Sequence, residues 1–492
     1  MHAPPAHGSH RADSLETGRE VTATRLRVLL TVLGVAVAAL LAGATWMVSP
    51  LAPLAAVVGV VLVGVIWQRP LVASVVVASI VPAMAGLSRG FPVPGFKASE
   101  LLLVVCLLPL LVRRLPRWRR LNAVDVSLAA VALVGLVVGL YNGLRGHLEL
   151  MELLREALFP SFTFATWWVV SRGISNRVEI NVVLRWVLLV SLVPAGIGIL
   201  QFLDVPGVRD TLLTVVDGGL LPDPGQPGGR VTGPFTIAHS FGGYLIVPLM
   251  VAAVLLLRGN REVLRRRVLV VVLAVDLAAI VLSVTLTTGL WVIVGFLVAA
   301  ALVGRFRRGA LALLVAAALC TWVFWPSLQA RYVQQTTAAT GTSEGVIPQT
   351  LQFRFLVWRG DYLPLLTEAA PHGLTVGPDD IFPSTESQYI TLVLRGGVGL
   401  LLITAISFVV LARRAWRATQ TEPGSVSAAS AAIVGILVFL PAAGFIWPYV
   451  TNAGFPQSIF AIAGAVVGLA GGPPEPAVAR EILARRRLPA AI

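Results

Sequence analysis

The sequence predicts an all-α polytopic membrane protein with about fourteen transmembrane helices, and three observations carry that prediction. Hydrophobic residues make up 57% of the 492 and charged residues only 13%, where a water-soluble globular chain carries about a quarter charged. The apolar residues fall in blocks of roughly 16 to 24, the length that crosses a hydrocarbon core of about 30 Å as a helix. The basic residues occupy alternate gaps between those blocks, as expected when arginine beside a span stays on the cytoplasmic side. The first observation alone excludes a water-soluble enzyme.

Taken in order, the chain opens with a polar stretch, 1–27, that holds His2, His7, His10, Arg11 and Arg19. It lacks the short apolar core and small-residue cleavage site of a signal peptide and reads as a disordered cytoplasmic tail. One membrane domain, 28–470, follows. Its spans are expected near 28–47, 52–67, 71–87, 100–112, 124–141, 151–170, 183–203, 236–257, 268–286, 288–304, 309–325, 388–411, 428–448 and 455–470. The fourth is short for a full crossing, and Pro50, Pro53 and Pro70 bracket the second, which sets a margin of one or two on the count. A basic cytoplasmic tail, 471–492, closes the chain.

With the amino terminus inside, the cytoplasmic side receives the tail arginines, Arg69, the run from Arg113 to Arg120, and the clusters at Arg172–Arg185, Arg258–Arg267, Arg305–Arg308, Arg413–Arg417 and Arg480–Arg487. Together these are 28 of the 38 Lys and Arg. An even number of spans puts both termini on that side. The formal charge of +14 is thereby explained by topology, with no nucleic-acid partner. Cys106 and Cys320 lie inside apolar blocks and read as packing or lipid-facing residues, not as a disulfide or metal framework. Heavy use of Ala, Arg, Gly and Val, with Lys97 the only lysine, suggests a GC-rich bacterial genome and hence the bacterial inner membrane.

Two extracytoplasmic segments exceed the short connections elsewhere: 204–235, rich in Gly, Pro and Asp, and 326–387, about sixty residues long. Loops of that size are kept for a role. The second contains a short helix expected at 351–367, whose Phe353, Leu356, Val357 and Leu365 form an apolar stripe suited to a bilayer surface.

Candidate functional residues gather in those loops. In Gly229-Arg230-Val231-Thr232-Gly233-Pro234-Phe235, an arginine at the outer boundary stands between glycines that let backbone approach a ligand; it also reads as a snorkelling boundary residue. His239 follows, either as a proton carrier or as a hydrogen-bonded structural residue. In the long loop, Arg354 and Trp358 are four apart and share a helix face, with Arg359 and Asp361 next to them and a Gly373 to Gly377 turn beyond. Glu386, Ser387, Gln388 and Tyr389 then lead into Leu394-Arg395-Gly396-Gly397. A carboxylate at the rim of a membrane helix facing arginines calls for water or a ligand between them, or for a structural ion pair. Asp276, the acid deepest in a span, reads as a proton relay or as a bond to a neighbouring helix. Glu149, Glu152, Arg155 and Glu156 have the spacing of ion pairs within a helix. Walker A, dinucleotide, HExxH and paired DxD patterns are missing, so neither a metal site nor a cofactor is expected.

From about 180 to 412 the sequence resembles the O-antigen ligase and polymerase family of membrane glycosyltransferases. Three pieces carry the resemblance: RVTGPF before a Gly-Gly-Tyr helix start, the large loop with Arg354 and Trp358, and ESQYITLVLRGGVGLL entering the next span. The resemblance implies a GT-C-type fold and a polyprenyl-diphosphate-linked glycan donor. It also implies a glycan acceptor, attachment to the bilayer and work beside polysaccharide-export proteins. Under it, Arg230 and Arg354 neutralise the departing diphosphate, with Arg359 and Arg395 behind them. Glu386 takes the acceptor proton, while Tyr389, His239 and Trp358 line the substrate. Ligase members commonly carry histidine where this chain has Glu386, and Ser-Arg-Gly where it has Thr287-Thr288-Gly289, which fits a polymerase better than a ligase. The rival reading is a lipid-linked oligosaccharide flippase or other secondary transporter, for which Asp276 speaks.

Overall fold

The computed structural model describes residues 52–88, 97–112, 121–145, 150–216, 230–336, 349–374 and 385–469. The span expected at 28–47 and both tails lie outside these residues. The described residues fold into α-helices and their connections, without a β-strand among them. One isolated antiparallel bridge joins Leu87 to Val216.

In chain order the helices are α1 (Ala52–Gln68), α2 (Pro70–Ala83), α3 (Ala98–Val112), α4 (Ala123–Arg145), α5 (Leu150–Gly173), α6 (Arg177–Phe202) and α7 (Val208–Val215). Then come α8 (Ala238–Arg258), α9 (Arg266–Leu282), α10 (Leu286–Leu302), α11 (Phe306–Thr336) and α12 (Gln349–Val357). A π-helical turn (Trp358–Tyr362) leads to α13 (Leu363–Ala369), α14 (Gln388–Thr421), α15 (Gly424–Ile446) and α16 (Phe455–Val467). Local chemistry sets several starts. Pro70 opens α2 at the first helical position, where its missing N–H costs nothing. The Asn176 side chain accepts from the Glu179 N–H to cap α6.

Six helices are long and apolar enough to cross a bilayer: α4, α6, α8, residues 306–330 of α11, α14 and α15. The chain is a membrane-embedded helical protein. Its centre is α8, apolar on every side and packed against α6, α9, α10, α15 and α16; a helix apolar all round belongs inside a bundle. At the other extreme, α11 has an 18-residue apolar stretch with no buried residue, Gly309 near the start of the helix being buried against Ala300, and Trp322 and Trp325 stand on the surface. Small residues set one close crossing: a Cβ on Gly435 of α15 would lie 2.2 Å from the Gly295 carbonyl oxygen of α10. Between α4 and α5, Arg172 pairs with buried Asp125 at 3.0 Å while the Trp167 indole N–H donates to the other carboxylate oxygen at 2.8 Å. A buried pair is tolerated where such hydrogen bonds satisfy it.

Four expectations gain detail. The apolar block expected to end at 325 belongs to a helix that runs to Thr336, kinked at Phe324 just before Pro326, whose ring cannot supply the helical N–H. The segment 204–235 contains helix α7, entered through Gly207 at φ 82°. The helix expected at 351–367 is present as the continuous run of α12, the π turn and α13. Finally, α14 is interrupted at Gly396 and Gly397, the latter at φ 67° and ψ −175°.

That interruption docks the long loop. The Val398 N–H donates to the Ala370 carbonyl, and the Leu374 N–H to the Leu394 carbonyl, both at 2.8 Å. A Cβ on Gly397 would lie 2.7 Å from the Ala370 oxygen, and its left-handed backbone disfavours any side chain. Gly397→Ala is expected to lower stability by about 2 kcal/mol or more and to raise protease cleavage within 349–374. Unchanged melting and cleavage would show that the docking is not held here.

Candidate functional site

The site is assembled where α12 and the π turn meet the start of α14. Arg354 on α12 and Trp358 at the start of the π turn are one turn apart, as their spacing predicts, and both are buried. The Trp358 indole N–H donates to the Thr385 carbonyl at 2.8 Å, which ties the loop to the residues that begin α14. Ser387 is the N-cap of α14; its carbonyl accepts from the Thr391 hydroxyl at 2.8 Å, and Thr385 and Thr391 share a hydroxyl–hydroxyl bond. Between these anchors Glu386 adopts φ 55°, a left-handed conformation uncommon outside glycine and asparagine. It therefore stands outside the helical spacing that Tyr389 follows.

The outcome is a two-point ion pair. Arg354 Nε and Nη2 both donate to Glu386 Oε2, at 2.9 and 2.7 Å. Burial raises the proton affinity of Glu386 above that of an ordinary carboxylate, although the Arg354 charge and hydrogen bonds pull the other way. The hydroxyl of Tyr362 is pushed up to about 12 by burial, with the negative charges of Asp361 and Glu386 adding to it. Val357, Trp358, Tyr362, Ile390, Val393 and Leu394 form a small apolar cluster behind the pair. Thus Val357 faces the protein and does not share the exposed face of Phe353 and Leu356, which corrects the expected surface stripe.

The remaining expected residues divide. His239 is buried and stacks on Trp447, with ring centroids 4.3 Å apart and planes 12° from parallel. Tyr389 donates its hydroxyl to the Pro441 carbonyl at 2.8 Å, tying α14 to α15. Arg230 is half-buried and makes no hydrogen bond or ion pair with the described residues. The glycine beside it serves packing: Gly233, at φ 52°, lies against the Phe241 ring, while Gln201 Oε1 accepts from the N–H groups of Thr232 and Gly233 at 3.1 and 2.9 Å. Arg359 is exposed, and the Arg395 backbone abuts Gly373 at the interruption of α14. Of the expected arginines, Arg354 is the one seen to pair with Glu386 among the described residues.

Thr288 contacts the Tyr449 hydroxyl at 3.4 Å and packs on Gly242. Asp276 is fully buried, with Oδ2 2.9 Å from the Ser191 hydroxyl, which bonds α9 to α6. Glu149 and the side chains of Glu152, Arg155 and Glu156 lie outside the described residues, as does Gly377. Sequence reasoning missed Trp447, Tyr449 and Gln201, and quoted Gln388 without a role. The Trp-Pro-Tyr break between two apolar blocks was the available signal for the first two. No protein-family model matches the chain, and no curated protein matches it.

Proposed function

We propose that the chain is a glycosyltransferase that polymerises or transfers polyprenyl-diphosphate-linked oligosaccharide units at the extracytoplasmic face of a bacterial inner membrane. In this reading it has fourteen spans, a GT-C-type arrangement and both termini cytoplasmic, as the distribution of arginine supports. The observation that carries it is the Arg354–Glu386 pair at the entry to α14.

The chemistry asks for two groups, and the pair supplies both. An acceptor hydroxyl attacks the anomeric carbon as the bond from that carbon to the lipid diphosphate breaks. The electron pair leaves on the diphosphate oxygen, and the hydroxyl proton passes to a base. A guanidinium fork matches diphosphate oxygens, and a carboxylate whose burial raises its proton affinity suits a general base. At rest these groups satisfy each other. A donor diphosphate that takes over Arg354 releases Glu386 for the acceptor, so that base and donor site become competent together. Arg230 is a second phosphate contact in this reading.

Incubating the full chain in nanodiscs with a synthetic polyprenyl-diphosphate oligosaccharide is expected to give longer glycans and one free polyprenyl diphosphate per bond formed. Intact donor after prolonged incubation would defeat the proposal. The transporter reading draws on one observation, the fully buried Asp276. Asp276→Asn is expected to keep the transfer rate per folded molecule within about twofold, since the buried bond to Ser191 survives in a neutral isostere. Movement of intact donor across proteoliposomes that this variant stops would favour the transporter.

A further inference from the structure

Four tryptophans among the described residues are buried, and they do not behave alike. Trp167 donates its indole N–H to Asp125, Trp291 to the Ile436 carbonyl and Trp358 to the Thr385 carbonyl, each at 2.8 Å. Trp447 is as buried as Trp358, yet its Nε1 has no partner among the described residues. Its ring is nevertheless held firmly, stacked on His239. This leaves a fixed donor with no acceptor among the described residues.

A second donor of the same kind belongs to the same segment. Gln388 is 5% exposed, and its Oε1 accepts from the Val450 N–H at 2.7 Å. That bond fixes which end of the amide is oxygen, and it leaves Nε2 buried without a partner among the described residues. The side chain is seated by Gly444, where a Cβ would come within 3.2 Å of it. Each buried unpaired donor costs about 1–3 kcal/mol, and native structures keep few of them without an explanation. Both donors belong to residues within 444–450 or packed and bonded against it, beside an aromatic stack.

We propose that Trp447 Nε1 and Gln388 Nε2 form a neutral glycan subsite, receiving hydroxyl, ring or acetamide oxygens of an uncharged sugar unit next to the His239–Trp447 stack. Neither donor carries charge, so the set suits neutral oxygens, whereas Arg354 suits a diphosphate. The division follows the demands of the reaction, with charge compensation at the leaving group and neutral hydrogen bonds at the sugar. A site built to hydrogen-bond a hydroxyl also discriminates against units lacking it. The inference rests on the glycosyltransferase reading for its choice of ligand, but its test requires no transfer.

The full chain in nanodiscs is titrated with free maltotriose, mannotriose and chitotriose, and separately with inorganic pyrophosphate, following thermal stabilisation and calorimetric binding. At least one trisaccharide is expected to bind. Trp447→Phe, which retains an aromatic ring against His239, and Gln388→Leu are each expected to weaken it roughly fivefold or more, the equivalent of one hydrogen bond of about 1 kcal/mol. Without sugar, Trp447→Phe is expected to melt at or near the wild-type temperature, because it removes only an unpaired group, whereas Gln388→Leu also strands the Val450 N–H and is expected to melt lower while remaining folded. If only one variant folds, that variant decides. The subsite is overturned if no trisaccharide binds, if the folded variant binds sugar as the wild type does, or if the substitutions weaken pyrophosphate and leave sugar untouched. Sugar binding lost in the variants, from a protein that never transfers glycan, would uphold the subsite and remove the transferase reading.

Discussion

Arg354→Ala is expected to lower glycan transfer by about 10²–10³-fold, the cost of removing one preorganised donor from a developing negative charge. The same substitution strands Glu386 in a buried position and is expected to cost about 3 kcal/mol of stability, so the single variant mixes two effects. In the double variant Arg354→Ala with Glu386→Gln neither charge remains buried, and melting is expected to recover toward the wild type. Because Glu386→Gln alone removes the base but leaves donor binding little changed, donor binding separates the two effects. It stays weakened in the double variant if Arg354 holds the diphosphate, and returns with stability if the pair merely fastens the loop. Arg354→Lys is expected to recover only a small part of the rate, because a point charge cannot reproduce the fork that Nε and Nη2 present. Wild-type donor binding in the double variant would end the phosphate role of this arginine.

The helices were legible because hydropathy reports burial and lipid contact directly. The block expected at 151–170 is α5, Leu150–Gly173, and Pro70 marked the start of α2. Hydropathy says less about where a helix continues into water. After Pro326 the sequence turns polar through Ser327, Gln329 and Arg331, yet the helix runs on to Thr336, since backbone hydrogen bonding needs no apolar side chain. At the site, the four-residue spacing of Arg354 and Trp358 was local information and could be read. The partner of Glu386 could not be chosen among several arginines, because that choice depends on a contact 32 residues apart and on the unusual φ of Glu386. The glycines around Arg230 suggested a ligand, but Gly233 is required by the Phe241 ring, which only the tertiary packing of α6 and α8 reveals. Trp447 went unnoticed for a related reason. A tryptophan at the end of an apolar block reads as an interface anchor, and its missing partner is visible only in three dimensions.

Glu386→Gln is the second large effect. As general base, Glu386 contributes on the order of 10²–10⁴-fold, and the amide keeps the shape while losing the ability to accept a proton. Donor binding is expected to change little, since Arg354 remains. The pH dependence gives a sharper signature. Burial holds the folded-state proton affinity of Glu386 above its ordinary value of 4.5, so the base ionises at a higher pH than an exposed carboxylate. The acid limb of the wild-type rate profile is therefore displaced upward, and the Gln variant loses that limb. Stability follows with a definite sign. Between the ordinary value and the raised one, the folded state holds a proton that the unfolded chain has released. This contribution is fully present below about 4.5 and is lost as pH rises through the folded-state value. The Gln variant has no such slope, and the melting-temperature difference between wild type and variant should change across that window and flatten above it. Glu386→Asp, with its carboxylate withdrawn by one methylene, is expected to retain an acid limb at a much reduced rate. A Gln variant that turns over within threefold of the wild type, with the limb still in place, would assign the proton to another group and leave Glu386 as the clamp that holds Arg354 between turnovers.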